Sequence, residues 1–82
     1  MNITAVGNLH QSFDLSILYR KLLDFPVQYE PEIYPAVLLK LHNNNHCTIF
    51  SNGKFIITGV SSVDELQNVY EKLFEIIEKV KS

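Results

Sequence analysis

Two rhythms of apolar residues divide the chain. From Ser62 onward, Val63, Leu66, Val69, Tyr70, Leu73, Ile76, Ile77 and Val80 recur at spacings of three and four, the period of an amphipathic helix. The start of this helix is marked by a capping box, in which Ser62 accepts from the Glu65 amide while Glu65 reaches back to the Ser62 amide. A shorter helix of about ten residues is predicted after Asp14, its N-cap. Leu15, Leu18, Tyr19, Leu22 and Leu23 form its apolar side, and Pro26 ends it because the residue before a proline avoids the helical region.

The other rhythm is that of strands. Asn2 to Leu9, Ala36 to Leu41, His46 to Phe50 and Lys54 to Gly59 are rich in Val, Ile, Thr, Phe and Leu, and Asn43-Asn44-Asn45 and Asn52-Gly53 punctuate them as turns. The Asn52-Gly53 pair points to a tight hairpin. Tyr29 to Pro35 holds Pro31 and Pro35, which cannot donate to a sheet ladder, so this stretch reads as an extended edge or loop. The predicted order is strand, helix, a run of antiparallel strands, helix, an α+β chain.

Alternation along the strands carries a functional implication. Phe55 and Ile57 point to one side while Lys54, Ile56 and Thr58 point to the other; Cys47 and Ile49 are likewise opposed to Thr48 and Phe50. Both sides are partly apolar, and two helices can cover only one of them. The uncovered side is expected to meet a partner, whether DNA, protein or another copy.

Composition adjusts this picture without changing it. The 82 residues suit one domain spanning residues 1–82, and 46% hydrophobic with 20% charged residues is the make-up of a globular chain with a real core. The single Cys47 lies in an apolar run and reads as a buried free thiol of a reducing compartment. No stretch approaches the roughly 20 apolar residues that cross a bilayer, and the N-terminus lacks a basic segment leading into an apolar one. The expected location is therefore cytoplasmic or nuclear, with no membrane partner.

A formal net charge of −2 speaks against nucleic acid, since Lys and Arg contacts to phosphate supply most non-specific affinity. The acidity is uneven, however. Asp64, Glu65, Glu71, Glu75 and Glu78 outnumber Lys72, Lys79 and Lys81 in the last segment, while Asp14, Asp24, Glu30 and Glu32 balance Arg20, Lys21, Lys40 and Lys54 in the rest.

Four strings, in order, resemble a repeat of the TATA-box-binding protein (TBP) family. They are Asn2-Ile3, Tyr29-Glu30-Pro31-Glu32-Ile33-Tyr34-Pro35-Ala36, Thr48-Ile49-Phe50-Ser51-Asn52-Gly53-Lys54, and Ile57-Thr58-Gly59. Their order and separations are similar to those of the family's second repeat over nearly the whole chain. The resemblance implies a helix-grip-type half-saddle, a curved antiparallel sheet of about five strands with two helices on the convex side.

It also implies a minor-groove surface for A·T-rich DNA, in which paired phenylalanines wedge between base steps and kink the duplex. Tyr34 and Phe50 occupy those positions, Tyr34 bringing a hydroxyl where an apolar wedge is usual. Asn2 matches the asparagine that donates to the acceptors on the groove floor, and Thr58 a threonine of similar role. Thr4, Thr48 and Ile56 fall where the family usually has Val or Leu. Lys40, Lys54, the Ser51 hydroxyl and the Asn52 amide would touch phosphates. Ser61 stands where a basic residue is usual and Asn43-Asn44-Asn45 replaces a basic turn, so phosphate attraction should be weak.

Family members carry two such repeats and this sequence contains one, without internal repetition. The implied assembly is a homodimer joined edge to edge through the Asn2 strand, working in transcription initiation or its regulation, with general transcription factors on the convex helices. Two other readings remain open: a protein-interaction module of the same fold, and a subunit that guides an enzyme on another chain to nucleic acid.

Catalytic chemistry finds little support. His10, His42 and His46 have no Cys or carboxylate set at metal-ligand spacing, and Gly7, Gly53 and Gly59 build no phosphate-cradling loop. Ser12 and Asp14 near His10 are better explained by capping than by hydrolysis. No enzyme activity, cofactor, metal or catalytic residue is expected.

Overall fold

The computed structural model describes residues 2–41 and 44–81. Seven elements follow in order: β1 (Ile3–Asn8), α1 (Leu15–Lys21), β2 (Val27–Tyr29), β3 (Ala36–Lys40), β4 (His46–Phe50), β5 (Lys54–Val60) and α2 (Val63–Lys81). The strands form one open antiparallel sheet in the order β1-β5-β4-β3-β2. This is an α+β fold with both helices packed on one side of the sheet. Asn43, which opens the predicted asparagine turn, and His42 before it lie outside the described residues.

The elements obey the expected local chemistry with some adjustments. Asp14 caps α1: its Oδ1 accepts from the Ser16 amide at 3.1 Å and the Ile17 amide at 3.4 Å, and from the Ser16 hydroxyl at 3.0 Å. The Ser16 hydroxyl bond, followed by the backbone donors, holds the Asp14 carboxyl below its ordinary value. The helix is shorter than its apolar period predicts. The Leu22 amide donates to both the Leu18 and Tyr19 carbonyls, which closes the helix at Lys21, well ahead of Pro26. Leu22 is fully buried in consequence, and Leu23, expected on the apolar side, is exposed.

Of the predicted edge or loop, Tyr29 ends a true edge strand. β2 occupies the three residues between Pro26 and Glu30 and pairs with β3, and the chain turns at Pro31–Ile33. The β4–β5 hairpin turns through Ser51, Asn52 and Gly53. The Gly53 amide donates to the Phe50 carbonyl at 3.0 Å, and Asn52 Oδ1 accepts from the Lys54 amide at 3.0 Å. Gly53 has φ +89°, and a Cβ there would lie 2.2 Å from the Gln11 carbonyl oxygen, so both backbone and space require glycine.

At the head of α2 the Glu65 amide donates to Ser62 Oγ at 3.1 Å as the capping box predicts. The return bond goes elsewhere: Glu65 Oε1 accepts from the Ser61 amide at 2.9 Å, one residue before the expected Ser62 amide. Val63, the first residue of α2 and expected on its apolar side, is exposed.

The core lies between the helices and the sheet. Leu15 and Leu18 of α1, Leu22 just after it, and Val69, Leu73, Ile76 and Ile77 of α2 meet one side of β3, β4 and β5. Phe55 lies under β1, where Gly7 makes room: a Cβ at Gly7 would come within 2.4 Å of the ring. The helices are tied by Lys21, whose Nζ donates to the Val80 carbonyl at 3.0 Å, placing a cation at the C-terminal end of α2. Cys47 is buried at mid-sheet, and burial pushes its thiol up to about 12.

The β1–β5 pairing carries an irregularity. Ile3 faces Val60 and Ala5 faces Ile57, so β5 spends an extra residue at Thr58-Gly59, with Gly59 at φ +80°. Among the described residues β1 pairs with β5 alone, which leaves its outer edge open.

Candidate functional site

Strand alternation sends every second residue of the sheet away from the helices. The register aligns these residues into rows. Val6, Ile56, Thr48, Leu38 and Gln28 stand side by side across all five strands. A second row holds Thr58, His46 and Lys40. Toward the other end of the strands lie Asn8 with Lys54, and Phe50 with Ala36. No helix covers this side. Val6, Leu38 and Tyr34 are exposed, and Thr48, Phe50, Ile56 and Thr58 are half-buried.

Tyr34 and Phe50 come together although they arise from different segments. Tyr34 belongs to the loop before β3 and Phe50 ends β4; their ring centroids are 6.0 Å apart at an interplanar angle of 65°, an edge-to-face pair. Phe50 faces Ala36 across the ladder, and the Ala36 amide donates to the Tyr34 carbonyl at 2.9 Å. Small Ala36, fully buried on this side, is the floor on which the two rings stand. A shallow cleft of about 180 Å³, lined by Gln28, Glu30, Ile33, Tyr34, Ala36 and Leu38, continues from the pair to the β2 edge.

The remaining residues singled out in the sequence fall around this surface. Asn2 immediately precedes β1, and Thr4 lies beside the Thr58-Gly59 irregularity; both are exposed along the open edge. Ser51 and Asn52 are exposed in the hairpin turn next to Lys54. Lys54 and Lys40 sit at opposite ends of the face, separated along the strand direction by about 13 Å at the usual rise per residue.

Val6, Leu38 and His46 belong to the same surface and were not singled out as site residues. Their signal was available in the alternation Thr4-Val6, Leu38-Lys40 and His46-Thr48.

The structure also sorts the charge. None of the five strands contains Asp or Glu, so the nine acidic residues lie in helices and loops. The strands do carry Lys40, His46 and Lys54, all on the uncovered side. A chain of net charge −2 thus presents a sheet face whose own ionisable groups are all basic. The nearest carboxylate at the β2 end, Glu30, accepts from the Gln28 side-chain amide. Among the described residues no group of three or more His, Cys, Asp or Glu is placed to hold a metal ion, and no helix is long and apolar enough to cross a membrane.

A five-stranded open sheet with both helices on one side and a bare, partly apolar face on the other is the fold of a single TBP repeat. The structure matches that of Methanococcus jannaschii TBP with a TM-score of 0.85 at 26% identity, covering 96% of this chain and 46% of that one. The sequence profile of the family described as transcription factor TFIID, or TATA-binding protein, matches residues 1–80. The chain belongs to the TATA-box-binding protein family. It is 30% identical over 79 residues to the TATA-box-binding protein of Sulfolobus acidocaldarius and 32% identical over 79 residues to that of Pyrodictium occultum. It is also 31% identical over 68 residues to mouse TATA box-binding protein-like 2. In the two archaeal cases 95% of this chain is matched but only 39% of the relative, so the chain spans well under half the length of those proteins.

Proposed function

We propose that the uncovered sheet face binds the minor groove of A·T-rich double-stranded DNA and bends it, and that the chain does so paired with a second copy as a homodimer in transcription initiation or its regulation. The Tyr34–Phe50 pair carries this reading: two aromatic rings held edge to face at one end of a bare sheet, on a buried alanine floor, form a wedge that can enter between base steps. Thr48, Ile56 and Thr58, with Val6 and Leu38, supply the smooth floor that lies along the groove. Asn2 and Thr4 sit by the open β1 edge and offer donors and acceptors near the dyad of a pair joined there. Lys40, Lys54, Ser51 and Asn52 flank the floor as phosphate contacts.

The open edge of β1 supports pairing through main-chain hydrogen bonds. Monomer alone in light scattering at high micromolar concentration, with and without duplex, would overturn the homodimer. Fluorescence anisotropy with A·T-rich and G·C-rich duplexes of equal length, repeated across salt, tests the DNA reading. Binding should favour the A·T-rich duplex and weaken with salt; no association with either at about 50 mM salt defeats it.

One observation favours a second reading, that of a protein-interaction module. Phe74 is exposed on α2 and stacked on Tyr70 with ring centroids 6.0 Å apart, on a helix rich in carboxylates. General transcription factors could dock on this convex side of a DNA-bound dimer. Loss of partner binding in Phe74→Ala, with duplex affinity retained, would separate the two surfaces. Work on DNA places the protein wherever transcription occurs, in cytoplasm or nucleus.

A further inference from the structure

We infer that His46 is a proton-dependent contact of the uncovered sheet face, so that protonation of its ring strengthens the grip on the polyanion laid over that face. The inference rests on the DNA reading above and deepens it by naming a residue and a dependence that the phosphate contacts alone do not supply.

The geometry is a row of three. His46 on β4 is flanked directly by Lys40 on β3 and by Thr58 on β5, all on the uncovered side, and His46 is exposed. Directly opposed residues of an antiparallel pair have their Cβ atoms about 5 Å apart. Lys40 is the charged group facing the ring from β3. From β5 it is faced by Thr58, which is uncharged, and Lys54 lies farther along that strand. Along β4 itself its neighbour on the same side is Thr48, and no strand contributes a carboxylate. The helices lie on the other side of the sheet.

Histidine is the side chain that changes charge between about pH 5 and 8. A neutral ring here is one more polar group on a weakly basic floor. An imidazolium adds a third cation to a face that otherwise has Lys40 and Lys54, and presents N–H donors to phosphate or to groove-floor acceptors. Like charges directly opposite one another on a sheet are unfavourable, so a protonated His46 beside Lys40 is relieved when an anion covers both. Duplex binding then draws a proton onto His46, and affinity rises as pH falls. The scarcity of fixed positive charge makes the effect large: one added cation is a sizeable fraction of the total on this face.

The test is anisotropy with the A·T-rich duplex from pH 5.5 to 8.0, at several salt concentrations with ionic strength matched across pH at each, on the native chain, His46→Gln and His10→Gln. His10, exposed in the turn after β1, serves as the control. The native chain and His10→Gln should bind about tenfold tighter at the acidic end, with the slope of log affinity on log salt steeper there by about 0.9 per His46 engaged. His46→Gln should bind at every pH as the native chain does at pH 8.0. Because His46 is exposed, thermal unfolding of the variant should match the native chain, which excludes a folding artefact. Duplex binding that is independent of pH, or a pH dependence retained in His46→Gln, overturns this inference and leaves the DNA reading standing. No duplex binding at any pH overturns both.

Discussion

Ile56 and Ile57 are adjacent in β5 and have the same side chain, yet they belong to different surfaces. Ile57 is fully buried beneath the helices, whereas Ile56 is half-buried in a row open to solvent. The same division separates Phe55 from Phe50 and Cys47 from Thr48. The covered side is closed by packing within the chain. The open side is apolar enough to want a partner and carries all the lysine and histidine side chains of the strands. A strand that serves both sides has its register fixed twice, since a slip of one residue would expose Phe55 and bury Lys54.

The sharpest way to break this contrast is to truncate one aromatic on each side. Phe55→Ala should lower stability by about 3–5 kcal/mol in chemical denaturation, the range for a buried aromatic. Phe50→Ala should cost less than about 1.5 kcal/mol, while removing most of the DNA bending seen by fluorescence energy transfer between duplex ends. Equal losses of stability would place Phe50 in the core.

The hairpin that holds Phe50 and Phe55 in their opposite directions comes next. Gly53→Ala forces a side chain onto φ +89° and against the Gln11 carbonyl. It should cost about 2 kcal/mol and broaden the signals of both rings in NMR spectra. A smaller effect is expected at the covering layer: Ser62→Ala removes the bond to the Glu65 amide and should lower stability by about 1 kcal/mol, with duplex affinity per folded molecule unchanged.

On the open side, Val6→Lys should leave the free energy of unfolding within about 0.5 kcal/mol of native and weaken duplex binding, because the long side chain breaks the smooth floor. A large loss of stability would show that the face is part of the core. The smallest effect concerns Asp14. Its carboxyl is held below the ordinary value, so the stability it contributes is present above the unfolded-state value and is lost as pH falls through the lower folded one. Asp14→Asn should flatten that acid limb of the stability–pH curve slightly, since the group is exposed and screened.

Much of the covered side was legible in the sequence because it is written in periodicity. β4 runs over the predicted His46–Phe50, and the split of Phe55 and Ile57 from Lys54, Ile56 and Thr58 follows from alternation alone. Where elements stop was harder to read. Pro26 sets only an upper bound on α1, and the double bond from the Leu22 amide that ends it earlier is a tertiary choice, made to bury Leu22 and release Leu23. β2 escaped because three residues between prolines give alternation too few positions to declare itself; its partner β3 makes it a strand.

The open side was legible residue by residue and illegible as a surface. Resemblance named Tyr34 and Phe50 separately, while their contact depends on Ala36, a small residue with no signal of its own. Net charge summed over the chain concealed that the acids are all off the sheet. That is a property of topology, which composition cannot express.

Cys47 gives the fold an internal gauge of its own opening. Its thiol lies on the covered side, opposite Leu39 and Ile57, with its ionisation pushed up to about 12. Only the thiolate reacts with an electrophile, so labelling at neutral pH must wait for the helices to lift from the sheet. When closing is faster than labelling, the ratio of the native rate to that of the denatured chain is the equilibrium constant of that opening. A single atom, modified once per molecule and counted by mass, would therefore report what fraction of molecules has the covered side parted, and whether a partner on the far side of the same sheet lowers that fraction.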